Sequence, residues 1–183
     1  MCNAQGTVRS AVLLVFYITS ALALSLSQSN CTGYTWGAAK PEHLAEVKTL
    51  CVAMVENKTQ VPRAAALTTN SLVDAITRDG TYRIASIDHA DAHLLTTLHK
   101  IEYRQARSTR EDTLRSEELE MEAHLNWSLV DATNPARILA SGKSKGLTRF
   151  FVDPNLQTAR QSALVDAIKR ASESIVSRVS EGF

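Results

Sequence analysis

The stretch Asp88–His93 holds two imidazoles and two carboxylates within six residues, and these are groups that can bind a metal ion. Zinc in proteins takes three or four such ligands in a fixed arrangement. Asp and His are equally at home in polar turns, where short polar side chains bond to the neighbouring backbone. The sequence therefore predicts a solvated turn at this position, with a metal site as the alternative.

A second group of side chains suits anion binding. The arginines lie at the predicted tip of a hairpin, and the lysines lie on the strand that follows it. An arginine guanidinium donates two parallel hydrogen bonds to a phosphate or carboxylate. Because Glu111 and Asp112 lie in the same stretch, an exposed loop of mixed charge is the alternative. The candidate residues are Arg104, Arg107, Arg110, Lys143 and Lys145.

Three glutamates, Glu118, Glu120 and Glu122, alternate with apolar residues and would share one face of a strand. Such a row could hold a cation. A strand that alternates in this way usually has one buried face and one wet face. We therefore predict that these carboxylates lie on a solvated face.

The motifs of the common enzyme classes are absent from the sequence. It has no glycine-rich phosphate loop, no nucleophile elbow, no Cys-x-x-Cys pair and no His-Glu-x-x-His. Twenty Lys and Arg against 19 Asp and Glu give a net charge of +1, whereas a nucleic-acid-binding protein needs a clear basic excess. We expect a protein that is not an enzyme, has no catalytic residues, metal or cofactor, and binds no nucleic acid.

Residues 1–30 have the pattern of an export signal. They contain one arginine and no acidic residue, and residues 11–26 form an apolar run. That run is shorter than the roughly 20 residues of a membrane-spanning helix. Small and polar residues follow it, and Cys31 stands where a bacterial lipoprotein is lipidated. Acyl chains on Cys31 would hold the protein on a membrane surface.

Two alternatives to lipidation remain open. Cleavage after Ala23 or Ser27 would release a soluble protein, since small residues precede both bonds. Cys31 would then be an ordinary cysteine and could form a disulfide with Cys51. If Cys31 is lipidated instead, Cys51 has no partner and is expected to be a buried thiol.

The first half of the mature chain predicts a strand followed by a helix. Val47–Val55 is apolar on both faces, as in a central strand. A polar loop follows at residues 57–60. Pro62 can then open a helix in its first turn, and Asp79-Gly80 can end the helix with a left-handed cap. The buried stripe of this helix is Ala65, Thr69, Leu72 and Ile76.

The second half predicts further strands and a long helix. The third strand loses its alternation near His99–Ile101, which indicates a bulge. The C-terminal helix is expected to start at Asp153-Pro154. The predicted strands are Tyr82–Ile87, Ala92–Tyr103, residues 118–129 and Arg137–Arg149. The apolar stripe of the helix is Leu164, Ile168, Ala171, Ile175 and Val179.

These elements predict an α+β fold. The order is strand, helix, three or four strands, helix, which gives a mixed or antiparallel four-stranded sheet with both helices packed on one face. We expect a single domain over residues 47–183. Residues 1–30 would be the signal peptide, and residues 31–46 the lipidated N-terminus and tether.

Several short motifs occur in an order and spacing that point to one family. They are Cys31-Thr-Gly33-Tyr34-Thr-Trp-Gly37, Val47–Val55 leading into Glu56-Asn57-Lys58-Thr59, Asp79-Gly80-Thr81-Tyr82-Arg83, Ser141-Gly142, Phe150-Phe151-Val152-Asp153-Pro154 and the C-terminal helix. Over nearly all of residues 31–183, the chain resembles the lipopolysaccharide-assembly lipoprotein family (LptE).

The resemblance implies a lipid-anchored lipoprotein on the periplasmic side of the outer membrane. It would act as plug and chaperone of a β-barrel translocon (LptD-like) and assist delivery of lipopolysaccharide to the cell surface. The five basic residues named above would then pair with phosphates of lipopolysaccharide. A periplasm-facing envelope lipoprotein of another complex, or a metal-dependent hydrolase, are the alternatives.

Overall fold

The computed structural model describes residues 40–108, 116–152 and 155–182, which form one sheet and two long helices. A short 3-10 helix, Glu42–Leu44, comes first. The strands are β1 (Thr49–Val52), β2 (Glu56–Asn57), β3 (Arg83–Ile84), β4 (Ala92–Ser108), β5 (Ser116–Asp131) and β6 (Ile138–Phe151). Helix α1 (Ala64–Asp79) lies between β2 and β3, and helix α2 (Leu156–Glu181) follows β6.

The sheet is mixed. Its order is β3-β1-β4-β5-β6, and β2 pairs with β4 beyond the end of β1. β1 is parallel to both β3 and β4, and β2 is parallel to β4. The pairs β4–β5 and β5–β6 are antiparallel. The α+β class is therefore confirmed, whereas the predicted sheet of four strands is wrong because the sheet has six.

An irregularity in the first predicted strand accounts for part of this difference. β1 pairs with β4 as far as Val52 with Leu94, and β2 resumes the pairing at Glu56 with Thr97. Between these two pairs the segment from β1 to β2 has one residue more than β4. That segment therefore bulges, and Met54 within it is exposed. Val47–Val55 is thus not one strand, and the expected polar loop begins only after Asn57. The second predicted strand shrinks to Arg83–Ile84, next to the short β1.

The core lies between one face of the sheet and the two helices. All five residues of the stripe predicted for α2 are buried. Ile76 of α1 and Ile175 of α2 meet over Leu50 and Leu94 of the sheet. Leu44 of the 3-10 helix, in the segment expected to be tether, is also fully buried. Both helices therefore cover the same sheet face. No helix within the described residues is long and apolar enough to cross a membrane.

Both helices begin later than predicted. Pro62 lies in a turn, and α1 starts at Ala64 after Arg63. The side chain of Asn155, not Asp153, caps α2 by accepting a hydrogen bond from Thr158 N at 3.3 Å. Asp153 and Pro154 lie outside the described residues. The predicted end of α1 is confirmed, because Gly80 has a left-handed backbone with φ of 76°.

Asp91 gives the Asp88–His93 stretch a structural role. Its carboxylate oxygen Oδ2 accepts hydrogen bonds from the backbone N–H of Lys48 and Thr49 and from the Thr49 hydroxyl, each at 2.8 Å. These bonds fasten the start of β1 to the start of β4. His89 Nδ1 lies 3.0 Å from Ser86 Oγ within the same turn. The interpretation of the stretch as a turn agrees with these contacts.

Replacing Asp91 with alanine should lower the free energy of unfolding by about 2 kcal/mol, because three hydrogen bonds to an ionised carboxylate are lost. Chemical denaturation of the full chain measures the loss. Asp88→Ala is the matched control, since it removes the same charge from the same turn without breaking a bond to another described residue. Equal stability of the two variants would contradict the role assigned to Asp91.

Candidate anion-binding face

The sheet face opposite the helices carries charged side chains from three adjacent strands. Paired residues of antiparallel strands point to the same face, so the register decides which side chains meet. Here Glu102 pairs with Glu122, and His124 pairs with both Lys100 and Lys145. We call this the outer face. Its charged and imidazole side chains include Lys100, Glu102, Arg104, Glu120, Glu122, His124, Lys143, Lys145 and Arg149.

Glu122 is the centre of the outer face. The residue is only 2% exposed, although it stands on the face predicted to be solvated. Lys145 Nζ lies 3.3 Å from its Oε1, and Arg104 Nη2 lies 3.7 Å from its Oε2. His124 Nε2 is 3.0 Å from the same Oε2. The solvated-face prediction is therefore wrong for Glu122, because longer side chains from the neighbouring strands cover it.

Glu102 joins the same group from β4. Its Oε1 accepts a hydrogen bond from Lys100 Nζ at 2.6 Å, and its Oε2 lies 3.3 Å from His124 Nε2. Arg104 Nη2 reaches Glu102 Oε2 at 3.4 Å as well as Glu122. Two carboxylates thus hold three cationic side chains in fixed positions. The heads of Arg104 and Lys145 remain open to water and keep free hydrogen-bond donors.

The environment lowers the pKa of both carboxyl groups. Burial acts to raise the pKa of Glu122, but the hydrogen bond from Lys145 and the charges of Arg104 and Lys145 outweigh it. The hydrogen bond from Lys100 is the main cause of the lowered pKa of Glu102. Both carboxyl groups are therefore ionised at neutral pH.

Acid should weaken this network. A carboxyl group whose pKa is lower in the folded protein stabilises the fold above its unfolded pKa, and that contribution is lost as the pH falls through the folded value. For Glu122 the reference value is 4.5. We expect a constant free energy of unfolding from about pH 7 to about pH 5 and a decline below pH 4.5.

Urea denaturation across this pH range measures the decline, and Glu122→Gln is the informative variant. This substitution should lower the free energy of unfolding by only about 1 kcal/mol at neutral pH, because the cationic partners of Glu122 are exposed and water can hydrate them instead. Its stability should also fall less steeply in acid, since one titrating group is gone. An unchanged acid slope in Glu122→Gln would contradict the assignment.

Glu102, Glu122 and His124 are also the group of described residues whose geometry could suit a metal ion, with ligand atoms within 4.8 Å of one another. Lys100, Arg104 and Lys145 already contact these carboxylates. A divalent cation would have to displace them and would meet their repulsion at short range. The arrangement is therefore better suited to an ion-pair network that presents cations to an external anion.

The structure brings part of the predicted anion-binding set together. Arg104 and Lys145 contact the same carboxylate, and Lys143 lies two residues from Lys145 on the same strand face. Arg107 is in β4 and pairs with Glu118, but its side chain and all of Arg110 lie outside the described residues. The predicted lipidation site, Cys31, also lies outside them. Cys51 is a half-buried free thiol on β1.

Several outer-face residues were not among the sequence candidates. They are His99, Lys100, Glu102, His124 and Asn126. The loss of alternation near residue 99 was the available signal, and the bulge it predicted is confirmed by a register shift between Leu98 and Lys100. The register of β5 against both neighbours was needed to show that these residues meet.

Comparison with known proteins identifies the chain at the level of a family. The family model described as "LptE: Lipopolysaccharide-assembly" matches residues 47–179. That range contains the whole described sheet, α1 and all but the last two residues of α2. No curated protein sequence matches the chain significantly.

Solved structures share the fold at low sequence identity. A protein from Xanthomonas campestris is 16% identical with a TM-score of 0.55, covering 74% of this chain and 85% of its own. A hypothetical protein from Chlamydia trachomatis is 7% identical with a TM-score of 0.52, covering 75% and 97%. A minor lipoprotein from Acinetobacter baumannii is 10% identical with a TM-score of 0.50, covering 74% and 94%. At these identities the likeness concerns the fold.

Proposed function

We propose, from the premise that this chain belongs to the LptE family of lipopolysaccharide-assembly proteins, that it is a lipid-anchored protein of the outer membrane that assists lipopolysaccharide assembly without catalysing a reaction. The observation that carries the proposal is the family match over residues 47–179. The export-signal pattern of residues 1–30 and the position of Cys31 support the anchor.

The outer face supports a role in binding lipopolysaccharide. Arg104, Lys143 and Lys145 lie on one sheet face, and their charged ends point away from the helices. Lipopolysaccharide carries phosphate groups, for which arginine and lysine are the ordinary protein partners. Arg107 and Arg110 would extend this surface toward the hairpin tip. In this proposal the fold presents a charged surface to a lipid and holds it in place.

The proposed partner is an outer-membrane β-barrel translocon of the LptD kind, for which this protein serves as plug and chaperone. The family supports this proposal. A protein that fits inside a barrel has to be rigid, and here the sheet and both helices share a continuous core. Residues 47–183, with Leu44 of the 3-10 helix packed into their core, would be the fitted domain, and the rest of residues 31–46 would link it to the membrane.

The proposal is tested by isolating the protein from a Gram-negative envelope under mild detergent. We expect an intact mass that corresponds to an acylated Cys31 at the mature N-terminus, and recovery of a heat-modifiable barrel protein with it. Cys31→Ala should abolish the lipid mass and shift the protein to the soluble fraction. An unprocessed N-terminus in the cytoplasm would overturn the anchor. A lipidated protein recovered without any barrel would instead favour another envelope complex.

A further inference from the structure

A cavity of about 420 Å³ opens on the outer face where β4, β5 and β6 lie side by side. His99, Lys100, His124, Asn126 and Lys143 line it, together with Leu125 and Ser144. No acidic residue is among these seven described lining residues. The volume falls in the range of small-molecule sites. The cavity is therefore large enough for a phosphorylated sugar and has a lining suited to an anion.

The β-bulge of β4 builds this cavity. In a regular strand His99 and Lys100 would point to opposite faces of the sheet. The register shift between Leu98 and Lys100 places Lys100 on the outer face, where it pairs with His124. Both His99 and Lys100 consequently line the same cavity. Bulges occur often beside functional sites because they redirect a side chain in this way.

The charge available in the cavity comes chiefly from Lys143. It is exposed and makes no ion pair with any residue in the part of the chain that the structure describes. The Lys100 ammonium bonds Glu102 at 2.6 Å and has further N–H donors. Glu102 and Glu122 lie 3.3 and 3.0 Å from Nε2 of His124, whose side chain lines the cavity.

We infer that this cavity binds the phosphate group of a phosphate monoester, with Lys143 and Lys100 as the cations and Asn126 and the two imidazoles as further hydrogen-bonding groups. The inference rests on the proposed function, since lipopolysaccharide would bring a phosphate to this face. Point-charge ammonium groups approaching from different strands suit a tetrahedral dianion. Lysine binds phosphate as a compact point charge with three rotatable N–H donors.

The direct test is a titration of the isotope-labelled full chain in detergent with inorganic phosphate, followed by NMR of the backbone amides. We expect saturable shifts confined to residues 98–100, 124–126 and 143–144. Lys143→Gln should weaken phosphate binding about tenfold, because one charge-assisted hydrogen bond is lost. Lys169→Gln is the matched control, since Lys169 lies in the cleft between the helices. The Lys169→Gln variant should bind phosphate with the affinity of the wild type.

Absence of these shifts at tens of millimolar phosphate, or equal weakening by both variants, would overturn the inference. Two further ligands distinguish the source of the phosphate. Displacement of inorganic phosphate by lipopolysaccharide micelles supports a lipid-borne group, and displacement by glucosamine 1-phosphate alone supports a soluble sugar phosphate. If phosphate leaves the cavity amides unchanged while lipopolysaccharide is still captured by the protein, the cavity assignment fails and the proposed function stands. If phosphate binds but lipopolysaccharide is not captured, the cavity assignment stands and the proposed function fails.

Discussion

Replacing Gly146 with alanine should cost about 3 kcal/mol or more in the free energy of unfolding, a large part of the stability of a domain of this size. A Cβ atom at this position would lie 1.9 Å from the backbone oxygen of Ala167 and 2.5 Å from the backbone nitrogen of Ala171. Both atoms belong to the backbone of α2, so no side-chain rotation can make room. Helix α2 would have to move away from β6 and open the core.

Thermal and chemical denaturation of the full chain measure this cost, and Gly142→Ala is the matched control. The three atoms nearest to an added Cβ at position 142 all belong to the side chain of Trp127, the first at 3.0 Å. A side chain can shift where a backbone cannot, so we expect a loss of about 1 kcal/mol. If Gly146→Ala were as stable as Gly142→Ala, this would contradict the close approach of the α2 backbone to Gly146.

Removing the three described residues of the predicted anion-binding set should reduce lipopolysaccharide capture by at least about tenfold, since each charge-assisted hydrogen bond to a phosphate contributes on the order of 1.5–3 kcal/mol. The variant is Arg104→Gln, Lys143→Gln and Lys145→Gln combined. Arg104 and Lys145 have exposed charged ends but both pair with the buried Glu122, so the free energy of unfolding of the variant is measured beside its binding. A pull-down of lipopolysaccharide by the tagged full chain measures the effect.

The control has to remove the same net charge from another surface. Arg78, Lys169 and Arg178 are exposed on the two helices, and their combined replacement by glutamine removes three positive charges there. We expect this variant to retain lipopolysaccharide at the wild-type level. Equal loss in both variants would mean that net charge alone governs binding, and equal retention would remove the outer face from the proposal.

The sequence predicted those features of the fold that depend on local periodicity. The stripe from Leu164 to Val179 and the alternation of β5 each follow from one repeating pattern, and Gly80 marks the end of α1 through its backbone conformation. The bulge at residue 99 was visible as a break in alternation. For such features neighbours along the chain carry enough information.

Local patterns in the sequence do not show which strands pair or in which register. The two residues of β2 form a strand only because β4 offers a parallel partner at Thr97 and Leu98. Glu122 follows the polar side of a clean alternation, yet it is buried because Arg104 and Lys145 extend over it from both neighbouring strands. For the same reason the cavity beside Lys143 became visible only once three strands were in register.

The most direct measurement is photo-crosslinking of the protein in living Gram-negative cells. A photoreactive amino acid at Ser141, an exposed outer-face position two residues before Lys143, should give a crosslinked species that antibodies against lipopolysaccharide detect. The same amino acid at Val165, which is exposed on α2, should give none. Lipopolysaccharide crosslinks at Val165 but not at Ser141, or at neither position in a protein that is folded and exported, would contradict the account.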